Sequence, residues 1–480
     1  MSGQRQSRFE RGEDVVVMKF GGTSVEDAAA IRRLIGIVSS RSAFQPVLVV
    51  SALSKVTDQL LEAGHAAAAG HLGSALAIVR KIYVRHEQLA DSLVDGASYN
   101  ALERELRAEI QALEVLLQDL CSSRELTLQV KDHLLGFGEC LSSKLVSEVL
   151  RQNGISASYL DARDCIVTDS RHGQASPLWD VTNERLREGL GPLLSEGSVP
   201  VLGGFIASSS EGVPTTLGRG GSDFSAAIIG AALGASRIEI WTDVDGVMTT
   251  DPRLCPEAQV IRKMSFEEAA ELAHFGAKVL HPATLAPAVR ENIPVYVLNS
   301  RRPEESGTEI TARAKNGRTV SAITAKRNVA AVQIESPGGI DAGLLDAVFG
   351  AFDKHACSVD VMATSIGRIS MLVGSAEALP AIASDLQGVV ELKWENHKAM
   401  VCLVGENIRR QPEVASRVFA AVADLGARVF CQGPSERTIS FLVEEGKAEE
   451  SVQRLHALFF SKHEPARDWG GISTAFCQAG

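Results

Sequence analysis

Aromatic residues are scarce: phenylalanine, tryptophan and tyrosine together make up 5% of a 480-residue chain. Stacking platforms for nucleic-acid bases are therefore not expected. Positive charge is short as well, with a net charge of −11 at pH 7, which argues against a general polyanion-binding surface. Any phosphorylated ligand has to be met by cations concentrated locally, so lone lysines and arginines inside glycine-rich runs carry information. An apolar run of about 18 residues, the length that suggests a membrane span, does not occur. The N-terminal stretch up to Asp14 is polar and lacks an apolar signal core, so no membrane partner and a cytoplasmic location are expected. The eight cysteines are scattered without a C-x-x-C pair, which predicts neither disulfides nor a protein-built metal site.

What is present is 45% hydrophobic and 22% charged, the balance of an α/β protein with enough chain for roughly two to four domains. Val15-Val16-Val17-Met18 has the continuous apolar character of a central parallel strand, and it runs through Lys19 and Phe20 into Gly21-Gly22. Two glycines remove side chains where a phosphate must approach backbone N–H groups, and Lys19 sits at the lip of that turn. A helix pattern over 25–40 and a second apolar strand ending at Ser51-Ala52 complete a βαβ unit. Parallel strands place the glycine pair and Ser51 together at their carboxyl ends, where open α/β sheets bind ligands.

Residues 76–151 read as helical, with Leu102, Leu106, Ile110, Leu113, Leu117 and Leu120 on one stripe. Gly136-Phe137-Gly138-Glu139 is expected to interrupt that block before a new helix over 142–150. Glu139 then reads as a carboxylate favoured by a helix start. The most informative run is Gly218-Arg219-Gly220-Gly221-Ser222-Asp223, leading into a helix over 224–233: glycines, an arginine and a capping-type Ser/Asp pair at a helix N-terminus make an anion site. A purely structural turn has no need of the arginine. Thr242-Asp243-Val244-Asp245-Gly246 follows the next strand, Arg253 lies beyond it, and Lys278-Val279 follows Gly276-Ala277. His274 and His281 lack an acidic partner at telling spacing and are read as packing residues.

Residues 347–373 and 417–443 align without a gap at an offset of 70 with nine identities, an internal repeat in which each copy reads as a βαββαβ unit. The polar stretch 301–318 is the expected linker. With these residues in view, Lys19-Phe20-Gly21-Gly22-Thr23-Ser24, Gly218 to Asp223, Thr242 to Gly246 and Phe275-Gly276-Ala277-Lys278-Val279-Leu280-His281-Pro282 together resemble aspartate kinase, and the repeat resembles tandem ACT regulatory domains. The similarity spans nearly the whole chain. It is nearest the monofunctional, lysine-sensitive type, since nothing like a homoserine dehydrogenase follows the repeat.

The resemblance implies an amino-acid-kinase fold, a mainly parallel sheet between helices, over 14–310, followed by two ferredoxin-like ACT domains over 322–396 and 397–470. It also implies that the first ACT unit is inserted within the second. The reaction implied is transfer of the ATP γ-phosphoryl group to the side-chain carboxylate of L-aspartate, with Mg²⁺, as the first step toward lysine, threonine and methionine. Lys19 and Asp223 would be catalytic. ATP would meet Lys19, Gly21, Gly22, Thr242, Asp243, Arg253, Lys278 and Val279, and aspartate would meet Ser51, Thr57, Glu139, Arg219 and Ser222. Met248 stands where many relatives carry an aromatic residue, which loosens the expected adenine packing. An end-product amino acid, lysine or threonine, would bind near Ser336, Gly343, Leu344, Asp360, Thr364 and Ser365, in a homodimer or dimer of dimers formed through the ACT domains. The competing readings are another amino-acid kinase of glutamate type, and a non-catalytic amino-acid sensor. Intact Lys19, Arg219 and Asp223 weigh against the sensor.

Overall fold

The computed structural model describes residues 14–277, 282–314, 317–336, 338–431 and 436–461. They fall into two compact units, one formed mainly by residues up to 321 and the other mainly by residues from 322 onward, with the short segment Thr250–Ala258 grouped in the second.

The first unit is organised on an eight-stranded sheet in the order β3-β5-β2-β1-β8-β10-β11-β9, where β1 is Val15–Phe20, β2 Gln45–Val50, β3 Ala157–Tyr159, β5 Val199–Gly203, β8 Arg237–Thr242, β9 Lys263–Ser265, β10 Val295–Asn299 and β11 Thr308–Thr311. Every neighbouring pair is parallel except β10 with β11. β1 lies in the middle, paired on both sides, which is why its sequence is apolar throughout except at Lys19.

The period-two alternation of a strand decides where that lysine goes. Val16, Met18 and Phe20 join the core formed with Ile31 and Leu34 of the helix Ala28–Ser39 and Leu141 and Leu145 of the helix Leu128–Gln152. Val15, Val17 and Lys19 take the opposite face, and the helix Gly221–Leu233 packs on β1. The expected leucine stripe lies in the helix Gly96–Ser123, where all six members are buried.

The interruption expected at Gly136 to Glu139 does not occur: Leu128–Gln152 is one continuous helix. Its glycines answer a packing demand instead. A Cβ on Gly138 would stand 2.8 Å from the Cβ of Ala52, so glycine lets this helix close directly on the end of β2. Glu139 is therefore in mid-helix, far from the dipole position that the sequence suggested.

A small sheet of β4 (Val167–Thr168), β6 (Ile206–Ser209) and β7 (Pro214–Thr216) delivers the chain to Gly218. The second unit carries a six-stranded sheet ordered β13-β14-β12-β15-β17-β16, with β12 Ala322–Glu335, β13 Val359–Ser365, β14 Arg368–Val373, β15 Glu391–Val404, β16 Arg428–Cys431 and β17 Thr438–Glu444. The two central strands each carry a left-handed residue, Asn328 with φ 57° and His397 with φ 57°. Beyond Asn328, Ala330 to Glu335 pair with β14 and feed the core of Val348, Phe352, Met371 and Ile382. Before it, β12 packs against the helix Ala448–Phe460, to which Arg327 is joined by an ion pair with Glu449. The repeat therefore folds as two ferredoxin-like halves that share long central strands.

Among the described residues, no helix is long and apolar enough to cross a membrane. One buried titratable group sets an acid limit on the first unit. His86, on the helix Leu72–Leu93, is fully buried; its Nδ1 lies 2.7 Å from the Ile82 carbonyl oxygen and its Nε2 has no partner. Burial pushes its pKa down to about 4. The neutral ring is thus favoured by folding, and the stability it permits is complete above pH 6.5 and is lost as pH falls toward 4. We expect unfolding free energy to fall by about 2 kcal/mol between pH 7 and pH 5 from this group. Chemical denaturation of His86→Leu across that range should show a shallower acid slope; an unchanged slope would assign the acid loss elsewhere.

Candidate functional site

The carboxyl ends of β1, β2 and β5 meet the N-terminus of the helix Gly221–Leu233 around a cleft of about 420 Å³. Lys19 Nζ lies 2.6 Å from Asp223 Oδ1, with each side chain 13% exposed. Asp223 Oδ1 makes no hydrogen bond, so that lysine is its charge partner. The helix begins one residue past Gly220, whose φ of 72° is left-handed, and no side chain caps it. Ser222 and Asp223 thus stand in the first turn rather than at the cap expected from sequence. The aspartate gains from the helix dipole there and reaches Lys19 across the sheet face.

Close approach of backbones shapes the rest. A Cβ on Gly22 would lie 2.8 Å from the Ala52 carbonyl oxygen, and one on Gly204 would lie 2.7 Å from the Ser222 Cβ. The turn after β1, the loop after β2 and the first turn of the helix are thereby drawn onto one spot. Ser51 Oγ donates to Ser222 Oγ at 3.0 Å, and Ser142 Oγ donates to the Ser51 carbonyl at 2.8 Å.

Glu139 enters this cleft from mid-helix. It is 3% exposed and its Oε2 has no hydrogen-bond partner. Burial pushes its carboxyl up to about 8, against the opposing pull of backbone N–H groups and of the Lys19 charge. A buried carboxyl with one oxygen unpaired is a site waiting for a cation or a donor.

Of the residues singled out from sequence, Lys19, Gly22, Ser51, Thr57, Glu139, Ser222 and Asp223 line this one cleft. Gly21 donates its N–H to the Trp241 carbonyl at 3.0 Å, which sets Thr242 and Asp243 beside the glycine turn on its β8 side. Thr242 Oγ1 donates to Asp243 Oδ1 at 3.3 Å. Arg219 is exposed between the left-handed Gly218 and Gly220 and is absent from the lining. Arg253 is exposed, belongs to the segment grouped with the second unit, and is paired with Asp251 at 2.6 Å. Lys278 and Val279 lie outside the described residues. Sequence reasoning passed over Lys55, Asp58 and Phe205, which also line the cleft. Lys55 and Phe205 have φ of 69° and 68°, uncommon for side-chain-bearing residues and invisible in a motif.

In the second unit, Asp360 is not a bare carboxylate: Lys326 Nζ lies 2.6 Å from its Oδ2. Thr364 and Ser365 are exposed on β13, an edge strand. Gly343 and Leu344 are in the first turn of the helix Ala342–Lys354, where Leu344 N–H donates to the capping Asp341 at 2.8 Å, and Ser336 N–H donates to the Gly367 carbonyl at 2.9 Å.

Cations, glycine turns and a helix N-terminus converging at the end of a parallel sheet, with a carboxyl kept ready for a positively charged group, define a phosphotransferase that works on a small amino-bearing acceptor. Residues 14–299 match the amino acid kinase family and residues 401–459 match an ACT domain. Lysine-sensitive aspartokinase 3 of Escherichia coli is 35% identical over 459 residues, covering 93% of this chain and 99% of its own. The crystal structure of E. coli aspartokinase III with aspartate and ADP superposes with a TM-score of 0.82 at 34% identity, covering 93% of this chain and 100% of that one. The structure of the same enzyme with lysine and aspartate gives 0.78 at 35% identity, with the same coverage. The chain belongs to the aspartokinases, within the amino acid kinase family.

The raised Glu139 carboxyl makes ligand-free stability depend on pH. Its folded pKa lies above its unfolded value near 4.5, so stability is greatest below that value and is lost as pH rises toward 8. From pH 5 to pH 8 the loss is on the order of 4 kcal/mol. Glu139→Gln should unfold with a visibly smaller decline over that range; a slope equal to wild type would mean the carboxyl is not buried in solution.

Proposed function

We propose that this enzyme transfers the γ-phosphoryl group of ATP to the side-chain carboxylate of L-aspartate, giving 4-phospho-L-aspartate and ADP. The observation that carries the reading is the unpaired, buried Glu139 carboxyl sharing a cleft with the Lys19–Asp223 pair. An α-ammonium group gives Glu139 a charge partner as well as donors, whereas an acylated amino acid or a nucleoside monophosphate offers it neutral donors alone.

The acceptor carboxylate, with an ordinary pKa of about 3.9, is ionised at neutral pH and attacks phosphorus without a general base. The γ P–O bond to the bridging oxygen breaks as the new P–O bond forms, and ADP leaves with the electron pair. What the protein must supply is neutralisation of two anions brought together and their alignment. Lys19 takes the transferring phosphoryl group, Asp223 fixes the lysine, and the turn at Gly21 and Gly22 receives phosphate oxygens, with the Gly21 N–H held by Trp241 and its lack of a side chain giving the room. Ser51, Thr57 and Ser222 position the amino acid, and Arg219 closes over its α-carboxylate. Thr242, Asp243, Arg253, Lys278 and Val279 are assigned to the nucleotide. Mg²⁺ would travel with the nucleotide phosphates and add charge neutralisation there, with no protein ligand assigned to it.

For regulation we assign the effector to the first ACT unit around Ser336, Gly343, Leu344, Asp360, Thr364 and Ser365. Lysine is the favoured effector, because the similar E. coli enzyme carries that sensitivity in its name. We assign the kinase domain to 14–310 and the ACT pair to 322–470, with strand residues before Asn328 counted with the second ACT unit rather than the first. Pairing of ACT units between two chains is the proposed oligomer, with the chain in the cytoplasm.

The first test is ADP release by the purified protein with Mg-ATP and L-aspartate, alone and with added L-lysine or L-threonine. Turnover suppressed by lysine is expected. Absence of turnover with aspartate would overturn the substrate, and turnover indifferent to both amino acids would overturn the regulatory assignment. The Lys326–Asp360 pair generates a sharper expectation, since an effector ammonium must displace Lys326 from the carboxylate. Lys326→Met should lower the half-inhibitory lysine concentration by about threefold to tenfold, and Asp360→Ala should abolish inhibition while leaving turnover intact. Full inhibition in Asp360→Ala would remove that residue from the effector site.

A further inference from the structure

Lys55 is the residue of this cleft that no motif announced. It immediately precedes the 13-residue helix Val56–Ala68 and holds a left-handed backbone, φ 69° and ψ −2°, a conformation that glycine takes freely and lysine does not. It provides no side-chain cap to that helix, and it forms no ion pair, although Asp58 stands three residues further on in the same lining. The cleft's other lining lysine, Lys19, is bound to Asp223. Lys55 is thus an exposed cation with no ion-pair partner among the described residues, on the lining of a cleft suited to anions.

Its neighbours point to the ligand. Thr57, Ser51 and Glu139, assigned to the acceptor, line the same cleft together with Lys19 and Gly22, assigned to the phosphates, whereas the remaining nucleotide residues Gly21 and Thr242 do not. Glu139, 3% exposed and with Oε2 unpartnered, calls for a positive group or donor from the ligand, and Lys55 on the same lining offers its charge to a negative one. One amino-acid zwitterion with an acidic side chain supplies both.

We propose that Lys55 is a specificity residue of the acceptor site, its ammonium pairing with a carboxylate of the dicarboxylic amino acid. The inference rests on the phosphotransferase reading above and deepens it. The left-handed turn places Lys55 on the cleft lining at the start of the helix, where free N–H groups of the first turn add to the positive field.

The experiment uses the full-length enzyme and three variants, Lys55→Gly, Lys55→Ala and Lys55→Arg, with KM measured separately for L-aspartate and Mg-ATP. Wild-type turnover is established first, so failure of the reaction itself is distinguished from failure of the role given to Lys55. Lys55→Gly should raise KM for aspartate by about tenfold or more while KM for ATP moves less than about twofold. Because glycine relaxes the backbone, the same variant should melt no lower than wild type, which rules out misfolding as the cause. Lys55→Ala should show the same KM split, and Lys55→Arg should recover most of the affinity. An increase confined to KM for ATP would transfer Lys55 to the nucleotide and overturn the proposal, as would unchanged values for both substrates.

Discussion

The ion pair between Lys19 and Asp223 is the contact on which the cleft depends. It joins the central strand of the sheet to the first turn of the helix that packs across it, two segments about two hundred residues apart in sequence. Both groups are largely withdrawn from water, so removing either leaves a buried charge unpaired, which typically costs several kcal/mol. An ammonium fixed in this way is also preorganised: it need not be reoriented when phosphate charge arrives. Alternation along β1 makes the contact possible, because the residues flanking Lys19 are committed to the helical core on the opposite face.

Around that pair, the site is made by subtraction. Gly22, Gly138 and Gly204 each stand where a Cβ would fall within 3 Å of a neighbouring atom. The three positions bring together the turn after β1, the loop after β2, the long helix carrying Glu139, and the first turn carrying Ser222 and Asp223. Closing these segments onto one another puts Gly22, Gly221, Ser51 and Ser222 on one lining, short residues that suit phosphate and carboxylate oxygens. It also withdraws Glu139 from water, and its raised pKa follows from that enclosure.

The parts of this design that were legible in sequence are those that rest on local chemistry. An apolar strand ending in Lys19-Phe20-Gly21-Gly22 and a glycine-arginine loop entering a helix announce themselves by composition. Glu139 does not: nothing in its own neighbourhood marks it, and the adjacent glycines suggested a broken helix when their purpose is contact with Ala52. Its importance is a matter of burial, which only the assembled fold determines, and family resemblance had to supply it. Lys55 and Phe205 escaped for a related reason, since a left-handed φ is a property of the backbone. The interleaving of the two repeats was equally hidden. A ladder position in β12 changes allegiance at Asn328, and a gapless alignment over 347–373 and 417–443 does not reach that strand.

Two acidic residues in the chain illustrate opposite ways of accommodating a carboxyl that is withdrawn from water. Glu139 has no internal cation to pair with its free oxygen, so enclosure drives it toward the neutral acid, and binding an ammonium there must expel a proton near neutral pH. Asp360 is supplied with Lys326 from a neighbouring segment of its own unit, so it stays paired and an incoming ammonium must displace a tethered one. The first arrangement ties affinity to pH, because the competitor is the solvent's proton. The second ties it to a local concentration fixed by the fold, that of the Lys326 ammonium beside the carboxylate. On the assignments proposed above, the acceptor site answers to pH through the Glu139 proton, whereas the regulatory site answers to the competition between the effector and Lys326. A sensor of pathway output gains from that separation, since its threshold is set by how firmly one lysine side chain holds its place.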